Sequence, residues 1–453
     1  MGKYFGTDGI RGVVGEPIGG EALGVTLAYK TGRAAATVLT NGGGKKPRVM
    51  IAKDTRISGD MLVSALAAGL SSAGADVTIL GVLPTPAVAY LTVKTGADIG
   101  VVVSASHNPY EYNGIKLFGS DGFKLSDALE ARIESLIDDE SGTLKPGSAD
   151  LGRVHGDHDH WVAEYVDYLA SKAERRFNGK IALDCANGAA FETARALFTK
   201  LGADFEIFSD KPDGININGK CGSTCIEHLQ NIMASGRFGV GFAFDGDADR
   251  CLAVDERGQL VDGDMFLAIC ASAMKASGSL KGNAAVGTSV SNSGMEIYAR
   301  ENDFNFYRAD VGDRNVLELM QRIGCNLGGE SSGHTIFLDD ATTGDGQLTA
   351  VKFLNVIAAS GKTVSELVNG IPSFPQVMPS YKLTGGPAER DAIMAHPRLQ
   401  EEIKRQETSL SGEGRILVRP SGTEAVIRVL VEAKTEALAA EKAYYLINFM
   451  KSL

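Results

Sequence analysis

The fold is decided by the stretch Val101-Val102-Val103-Ser104-Ala105-Ser106-His107-Asn108-Pro109. Its three valines are typical of a buried strand, and the Asn-Pro pair marks where that strand has ended. Polar loops that leave the end of a strand are where α/β folds place their chemistry. A serine such as Ser106 acts as a nucleophile there only if a base, a metal or a charge activates it. The alternative is an ordinary Asn-Pro turn capped by serines.

Strand–helix–strand units recur on both sides of this stretch. Each begins with an apolar strand, continues through a helix and returns to a second strand. The strand pairs are 47–54 with 74–80, 179–184 with 202–208, and 283–288 with 304–307. Units of this kind predict parallel or mixed sheets flanked by helices, so we expect an α/β protein with three such domains. A single long sheet is the alternative, and the chain length argues against it.

The C-terminal part has a different pattern. A helix is expected near 387–406, strands around 413–419 and 424–433, and a closing helix at 435–451. This pattern predicts a smaller α+β domain with an antiparallel sheet. The predicted domains are 1–157 with the serine loop (104–109), 158–256 with the aspartate loop (245–250), 257–371 with the glutamate loop (328–334), and 372–453 with the arginine loop (419–424).

Composition excludes several classes of protein. The chain has 453 residues, of which 44% are hydrophobic and 22% charged, as in ordinary globular proteins. No apolar run approaches the roughly 20 residues of a membrane helix, and the N-terminus lacks a signal-peptide core. The net charge of −11 argues against nucleic-acid binding. The six cysteines are scattered without zinc-site spacing, so we expect reduced thiols in a cytoplasmic protein. From the apolar runs and the net charge we expect neither membrane nor nucleic-acid partners.

The aspartate loop predicts a metal site. Asp245, Asp247 and Asp249 follow the apolar run 240–244, and three carboxylates cannot all be buried without compensation. A hard divalent cation such as Mg²⁺ supplies it and leaves room for a phosphate oxygen. An EF-hand is one alternative, but Arg250 stands where that loop needs glycine. A solvated acidic loop is the other.

Two further loops carry polar side chains suited to a sugar phosphate. In the glutamate loop, Glu, Ser and His side chains can hydrogen-bond adjacent sugar hydroxyls, although a polar turn is equally consistent. In the arginine loop, hydroxyls and backbone N–H groups can cradle a phosphate, with arginines adding charge-assisted contacts. The candidate residues are Glu330, Ser332 and His334 for the first, and Arg419, Ser421, Gly422, Thr423 and Arg428 for the second.

A histidine cluster lies near the predicted end of the first domain. His155, His158 and His160 stand in a polar segment between the first two domains. They could bind a metal, but no nearby sequence supplies a cleaner ligand set, which favours a solvated surface patch.

The four loops, together with Phe5-Gly6-Thr7-Asp8-Gly9-Ile10-Arg11-Gly12, resemble the α-D-phosphohexomutase superfamily over nearly the whole chain. Within it the chain is similar to the bacterial phosphoglucosamine mutases. The resemblance implies three related α/β domains with mixed sheets and a smaller C-terminal α+β domain. It also implies a phosphoserine at Ser106 and Mg²⁺ held by that residue with the three aspartates. The glutamate loop would grip the sugar, and the arginine loop would hold the phosphate that is not being transferred.

The implied reaction interconverts glucosamine 6-phosphate and glucosamine 1-phosphate through a 1,6-bisphosphate, on the route to UDP-N-acetylglucosamine and cell-wall precursors. A hexose 1,6-bisphosphate would prime the enzyme, and a homodimer is common in the family. Lys116 is the first candidate for proton transfer and His334 the second, Arg250 would stabilise the transferring charge, and Arg11 and His107 would shape the site. Closure of the fourth domain about a hinge near 372–379 would exclude water.

Three alternative functions stay open. Ser331 stands where this subfamily usually has glutamine, and a phosphomannomutase/phosphoglucomutase of the same superfamily is the alternative. A phosphatase that uses the same phosphoserine is a second possibility. A catalytically silent sugar-phosphate sensor is the third, and it would need neither Ser106 nor the aspartates.

Overall fold

The structure is a computed structural model that describes residues 2–6, 8–39, 46–411, 414–421 and 425–453. No helix within these ranges is long and apolar enough to cross a bilayer. The cysteines all lie inside them and are free thiols.

The first domain is built on a mixed sheet with strand order β1-β2-β8-β7-β5-β6-β9. Strands β7, β5, β6 and β9 run parallel, whereas β8, β2 and β1 are added antiparallel at one edge. A short hairpin, β3–β4, lies outside the sheet. The elements are β1 Phe5–Gly6, β2 Gly9–Val13, β3 Pro17–Ile18, β4 Glu21–Ala22, α1 Val25–Leu39, β5 Arg48–Lys53, α2 Gly59–Ser72, β6 Asp76–Val82, α3 Thr85–Thr95, β7 Ile99–Val103, β8 Tyr112–Gly119, α4 Asp127–Asp138 and β9 Val154–Gly156.

The second domain repeats the pattern with strand order β11-β10-β12-β13-β14. Its first three strands are parallel, β13 pairs antiparallel with β12, and β14 pairs antiparallel with β13. Strand β14 follows residue 256, the predicted end of the second domain, but it pairs with β13 of this sheet. The elements are α5 His158–Ala170, β10 Lys180–Asp184, α6 Ala190–Lys200, β11 Asp204–Phe208, α7 Ile226–Met233, β12 Val240–Phe244, β13 Cys251–Asp255 and β14 Leu260–Val261.

The third domain has strand order β16-β15-β17-β18, with β18 antiparallel to the others. Its last helix, α12, starts with a capping box in which the Thr363 and Glu366 side chains each accept a backbone N–H. The elements are α8 Gly263–Ala276, β15 Ala284–Thr288, α9 Gly294–Glu301, β16 Asn305–Ala309, α10 Asp313–Ile323, β17 Leu327–Gly329, β18 Thr335–Phe337, α11 Gly346–Ser360 and α12 Val364–Val368.

The fourth domain is a small antiparallel sheet in which β22 pairs with β19, β20 and β21. Two helices replace the single helix predicted near 387–406. Pro397 begins the second one, because a proline disfavours helical geometry in the residue before it. The elements are β19 Gln376–Val377, β20 Ser380–Lys382, α13 Gly386–Ala395, α14 Pro397–Ser409, β21 Arg415–Pro420, β22 Val426–Glu432 and α15 Glu436–Met450.

The buried side chains show how the domains join. One continuous hydrophobic core runs from Met50 in the first domain to Val364 in the third. The fourth domain has its own core, which includes Ile427 and Leu446. The structure thus confirms an α/β fold of three mixed-sheet domains with a smaller C-terminal domain.

The topology also places the four loops. The serine, aspartate and glutamate loops each follow a buried strand, namely β7, β12 and β17, and the arginine loop joins β21 to β22. In open α/β sheets such strand ends are where ligands bind.

Candidate functional site

The serine loop places a hydroxyl against a carboxylate from another domain. All five residues of β7 are buried, as expected for a strand covered on both faces. Ser106 is 2% exposed and has a left-handed φ of 49°. Its Oγ donates to Asp245 Oδ2 at 2.7 Å, and the Nδ1 atom of His107 lies 3.4 Å from the same Oγ. The structure therefore brings the predicted nucleophile to the predicted metal loop.

The aspartate loop is a buried cluster of negative charge. One carboxylate oxygen from each of Asp245, Asp247 and Asp249 lies within 4.8 Å of the others. The loop joins two antiparallel strands, β12 and β13, whereas an EF-hand loop joins two helices, so it is not an EF-hand. Asp247 Oδ1 and Asp249 Oδ1 are buried without a hydrogen-bond partner among the described residues.

These carboxylates fit a divalent cation. Burial and the neighbouring carboxylates of Asp249 and Asp247 raise the pKa of Asp245 well above its usual value. For Asp249, burial is outweighed by Lys116, His334 and Arg250, which lower its pKa. Unpaired buried oxygens beside a carboxyl that resists ionisation indicate a site short of positive charge. Mg²⁺ with oxygen ligands would supply it.

Lys116 already provides one positive charge at this cluster. It lies in β8 opposite Val102 of β7, the strand that leads into the serine loop. Its Nζ is 2.9 Å from Asp247 Oδ2 and 3.0 Å from Asp8 Oδ2, and the residue is 2% exposed. Burial alone would lower the pKa of Lys116, but the Asp247, Asp8 and Asp249 carboxylates raise it above its usual value. Lys116 is therefore an ammonium and a charge partner of these carboxylates.

The glutamate loop faces the aspartate loop through His334. This histidine is 3% exposed, and its Nδ1 atom is 3.6 Å from Asp249 Oδ2. The Gly344 N–H donates to Nε2 at 3.0 Å, which makes Nε2 the acceptor and Nδ1 the protonated nitrogen. Glu330 is half-buried and accepts the Gly312 N–H at 3.0 Å through Oε1.

Ser332 is half-buried in the same loop, between these two side chains in sequence. The loop thus offers a partly exposed carboxylate and a partly exposed hydroxyl, while its imidazole contacts Asp249 and Gly344.

Three further predicted residues surround Ser106 with positive charge and a neutral ring. Arg11 Nε and Nη2, and Arg250 Nε, are buried without a hydrogen-bond partner in the described parts of the chain. Burial, together with the Arg250 and Arg11 cations, lowers the pKa of His107 to about 4, so this ring is neutral at pH 7. Guanidinium N–H groups without a hydrogen-bond partner, close enough to His107 to lower its pKa, are suited to an anion such as a phosphoryl group.

The arginine loop presents paired cations. Arg419 and Arg428 are directly opposite each other in the β21–β22 ladder, an arrangement that repels unless an anion lies between them. Burial and Arg428 lower the pKa of Arg419, and Glu330 and Asp310 act in the opposite direction. Arg419 is therefore within electrostatic reach of the glutamate loop. Ser421 is buried and its N–H donates to Val426 O at 2.9 Å, whereas Gly422 and Thr423 lie outside the described residues.

Sequence reasoning missed a chain of charges that links the first and third domains. Asp8 bonds both Lys116 and Lys124, and Lys124 Nζ also reaches Asp313 Oδ2 at 2.5 Å. Asp8 stands in the N-terminal motif 5–12, but Lys124 has no local signal. Only the fold brings the three together.

Thr85 was also missed. Its Oγ1 donates to Asp247 Oδ2 at 2.6 Å, and its N–H donates to the Asp247 carbonyl at 2.9 Å. These contacts tie α3 of the first domain to the aspartate loop of the second.

The histidine cluster does not converge. His155 and His160 are exposed, whereas His158 Nδ1 donates to Leu80 O at 2.7 Å and its Nε2 lies 2.9 Å from Glu192 Oε2. His158, Asp159 and Glu192 form a half-exposed group with metal-ligand spacing, and exposed groups of this kind are common without a metal. His158 serves here as a contact between the first two domains.

Comparison with known proteins places this architecture. Descriptions of the phosphoglucomutase/phosphomannomutase alpha/beta/alpha domains I, II and III match residues 2–143, 163–258 and 262–374, and the C-terminal domain matches 386–445. A phosphoglucosamine mutase of Shouchella clausii is 47% identical over 452 residues, covering 100% of this chain and 99% of that protein. One of Clostridioides difficile is 47% identical over 454 residues with the same coverage.

Solved structures show the same fold. A phosphoglucomutase/phosphomannomutase family protein from Burkholderia thailandensis superposes with a TM-score of 0.80 at 25% identity, covering 99% of this chain and 98% of that one. An Aspergillus fumigatus N-acetylphosphoglucosamine mutase, in complex with GlcNAc-6P and magnesium, has a TM-score of 0.68 at 18% identity, covering 99% and 95%. By its domains, its length and its relatives, the chain belongs to the phosphoglucomutase/phosphomannomutase family.

Proposed function

We propose that this protein interconverts glucosamine 6-phosphate and glucosamine 1-phosphate through a phosphoserine at Ser106. The observation that carries the proposal is the Ser106 hydroxyl, 2.7 Å from Asp245 inside a buried cluster of three aspartates. Its relatives named phosphoglucosamine mutase, at 44–47% identity over essentially the whole chain, support the choice of substrate.

The chemistry is two phosphoryl transfers in opposite directions. In the first, the bond between phosphorus and Ser106 Oγ breaks and a bond to the free sugar hydroxyl forms, while the hydroxyl proton ends on Ser106 Oγ. The second transfer returns the other phosphate to Ser106 and leaves the isomer. The proton then moves from Ser106 Oγ to the sugar oxygen. No oxidant or water is consumed, and catalysis requires alignment and charge stabilisation.

Asp245, Asp247 and Asp249, with Ser106, would hold Mg²⁺. When bound, Mg²⁺ neutralises charge on the transferring phosphoryl group. The unpaired oxygens of Asp247 and Asp249 support this ligand set.

The remaining polar groups bind and orient the phosphoryl group. Arg250 and Arg11 donate to the phosphoryl oxygens, for which their free N–H groups are available. His107 is neutral and shapes the site beside Ser106. Lys116, an ammonium at the aspartate loop, is the first candidate for moving the proton between the sugar hydroxyl and Ser106 Oγ, and its raised pKa means that it must regain any proton that it gives up. His334, whose nitrogens face Asp249 and Gly344, is the second candidate.

The sugar and the second phosphate are held across the cleft. Glu330 and Ser332 bind sugar hydroxyls, and His334 stabilises the loop through its contacts with Asp249 and Gly344. The arginine loop holds the phosphate that is not being transferred, through Arg419, Ser421 and Arg428, together with Gly422 and Thr423. The paired arginines on adjacent strands support this role, since an anion would relieve their repulsion.

Closure of the fourth domain would exclude water during turnover. The Asn292 side chain holds the proposed hinge at Phe374. Its Oδ1 accepts the Phe374 N–H at 3.0 Å, and its Nδ2 donates to the Phe374 carbonyl at 2.8 Å. Glu432 anchors the sheet to the third domain by accepting the Ser293 N–H at 3.1 Å. A closing rotation about 372–379 would therefore pivot close to these contacts.

Priming by a hexose 1,6-bisphosphate, a cytoplasmic location and a homodimer belong to the same proposal. Product glucosamine 1-phosphate would feed synthesis of UDP-N-acetylglucosamine.

The test is a coupled assay with Mg²⁺ on glucosamine, mannose and glucose 6-phosphates, beside mass spectrometry of the intact protein. We expect one phosphate on Ser106, the highest kcat/KM on the glucosamine substrate, and loss of activity in Ser106→Ala. A higher kcat/KM on mannose or glucose phosphate would instead assign the phosphomannomutase/phosphoglucomutase activity. Release of inorganic phosphate at the turnover rate would assign a phosphatase.

A further inference from the structure

Ser106 has a backbone conformation that other residues must hold in place. Its φ of 49° is left-handed, a region that costs a non-glycine residue free energy. Ser104, Ala105 and Ser106 are buried, so solvent does not satisfy this part of the main chain. Something in the surrounding structure must offset the strain.

A single guanidinium binds three carbonyls of the serine loop and one at the start of β8. Arg56 is fully buried, and its Nη2 donates to the carbonyls of Ser106 and Asn108, both at 2.8 Å. Its Nη1 donates to the carbonyls of Pro109 and Tyr112. Four carbonyls that would repel one another are thereby directed at one cation. A lysine could not reach all of them, because its donors radiate from one atom.

Asp54 completes this cluster and extends it to the backbone of the nucleophile. Its carboxylate accepts from Arg56 Nε at 2.8 Å and from Ser104 Oγ at 2.6 Å. Ser104 Oγ in turn accepts the N–H of Ser106 at 2.9 Å. A continuous chain of hydrogen bonds therefore runs from a buried ion pair to the backbone of the nucleophile, while the Ser106 hydroxyl itself faces Asp245.

We propose that Asp54, Arg56 and Ser104 are positioning residues that set the rate of phosphoryl transfer at Ser106. They act by holding its backbone in the left-handed conformation that presents Oγ to Asp245. The inference rests on the proposed phosphoserine function and deepens it. It also distinguishes the two hydroxyls of the loop: Ser104 Oγ both donates and accepts within the protein, so Ser106 alone has its hydroxyl at the reaction site.

The experiment measures the rate at which Ser106 is phosphorylated by glucose 1,6-bisphosphate in a single turnover, followed by intact mass spectrometry. Ser104→Ala removes the hydroxyl bridge, and Arg56→Lys removes the fork but keeps the charge. Thr31→Val is the matched control, because Thr31 is equally buried and its hydroxyl only donates to Leu27 O within α1. Each variant yields a rate constant and an amplitude, which is the fraction of chains that become phosphorylated.

A positioning role and a purely structural role separate in these two quantities. Misplacement of a reacting atom by about 1 Å costs about 100-fold in rate, so we expect rate constants lowered roughly 10- to 100-fold in Ser104→Ala and Arg56→Lys at full amplitude. Thr31→Val should keep the parent rate constant. Lowered amplitudes with the parent rate constant would show that the cluster only stabilises the fold, and would overturn the inference.

The outcome also separates this inference from the proposed function. If the parent chain itself takes no phosphate on Ser106, the proposed function fails first. If the parent is phosphorylated fully and Ser104→Ala matches its rate constant, only the positioning role is refuted.

Discussion

Replacement of Lys116 by methionine tests whether its ammonium and Mg²⁺ share the same carboxylates. Lys116 Nζ is 2.9 Å from Asp247 and 3.8 Å from Asp249, two of the three aspartates proposed to bind the metal. The variant removes the buried cation and leaves the carboxylates in place. Methionine keeps the length of the side chain without its charge.

The structure sets the size of two opposite effects. Breaking a buried ion pair costs about 3 to 5 kcal/mol of stability, so the metal-free variant should unfold at a lower temperature. A unit charge about 4 Å away contributes up to about 4 kcal/mol at a surface-like dielectric. In the parent, the Lys116 ammonium repels a bound Mg²⁺, and the methionine variant removes part of that repulsion. Each tenfold in Kd is about 1.4 kcal/mol, so we expect Mg²⁺ to bind the variant at least about tenfold more tightly.

The assay is thermal unfolding across a Mg²⁺ titration, with Lys124→Met as the matched control. Lys124 is a second buried lysine, but it bonds Asp8 and Asp313 rather than the three aspartates. Both variants should be destabilised without metal, and only Lys116→Met should gain a larger rise in Tm from Mg²⁺ than the parent. Equal Mg²⁺ affinity in the two variants would refute the reasoning. Because Lys116 is the proposed proton-transfer residue, Lys116→Met should also lose mutase activity by about 10²- to 10⁴-fold.

Four further outcomes are expected. Thr85→Val removes a donor to buried Asp247 and should cost about 1 to 3 kcal/mol, measured by urea unfolding. Burial raises the pKa of Glu130 to about 7, so between pH 4.5 and 7 the folded state holds a proton that the unfolded state releases. The free energy of unfolding should therefore fall as pH rises through this range. Glu130→Gln should flatten the dependence of Tm on pH. Glu432→Gln weakens the charged contacts of the fourth domain by about 1.5 to 3 kcal/mol and should speed limited proteolysis near 372–379. Arg419→Ala should raise KM for glucosamine 6-phosphate at least about tenfold, or about 1.4 kcal/mol, and an unchanged KM would remove Arg419 from phosphate binding.

Much of the fold was predictable because its cause is local. A run of consecutive apolar residues, such as Val101–Val103, predicts a buried strand, and the polar loop after it marks a candidate site. The single helix predicted near 387–406 was wrong for an equally local reason, since Pro397 starts a second helix. Strand β14 could not be placed from sequence, because two residues give no periodicity and only pairing with β13 defines them.

The site divides in the same way. The sequence by itself determined which side chains are the candidates for the chemistry, since Ser106 and the three aspartates stand in compact motifs, and three buried carboxylates are costly without a ligand. Only the tertiary structure decided what surrounds them. Lys124 has no motif of its own, and Arg56 became a candidate only when its guanidinium was seen to bind three carbonyls of the serine loop and the carbonyl of Tyr112. Charges far apart in the chain share one buried volume only after the domains pack, and the electrostatics of the site depend on that packing.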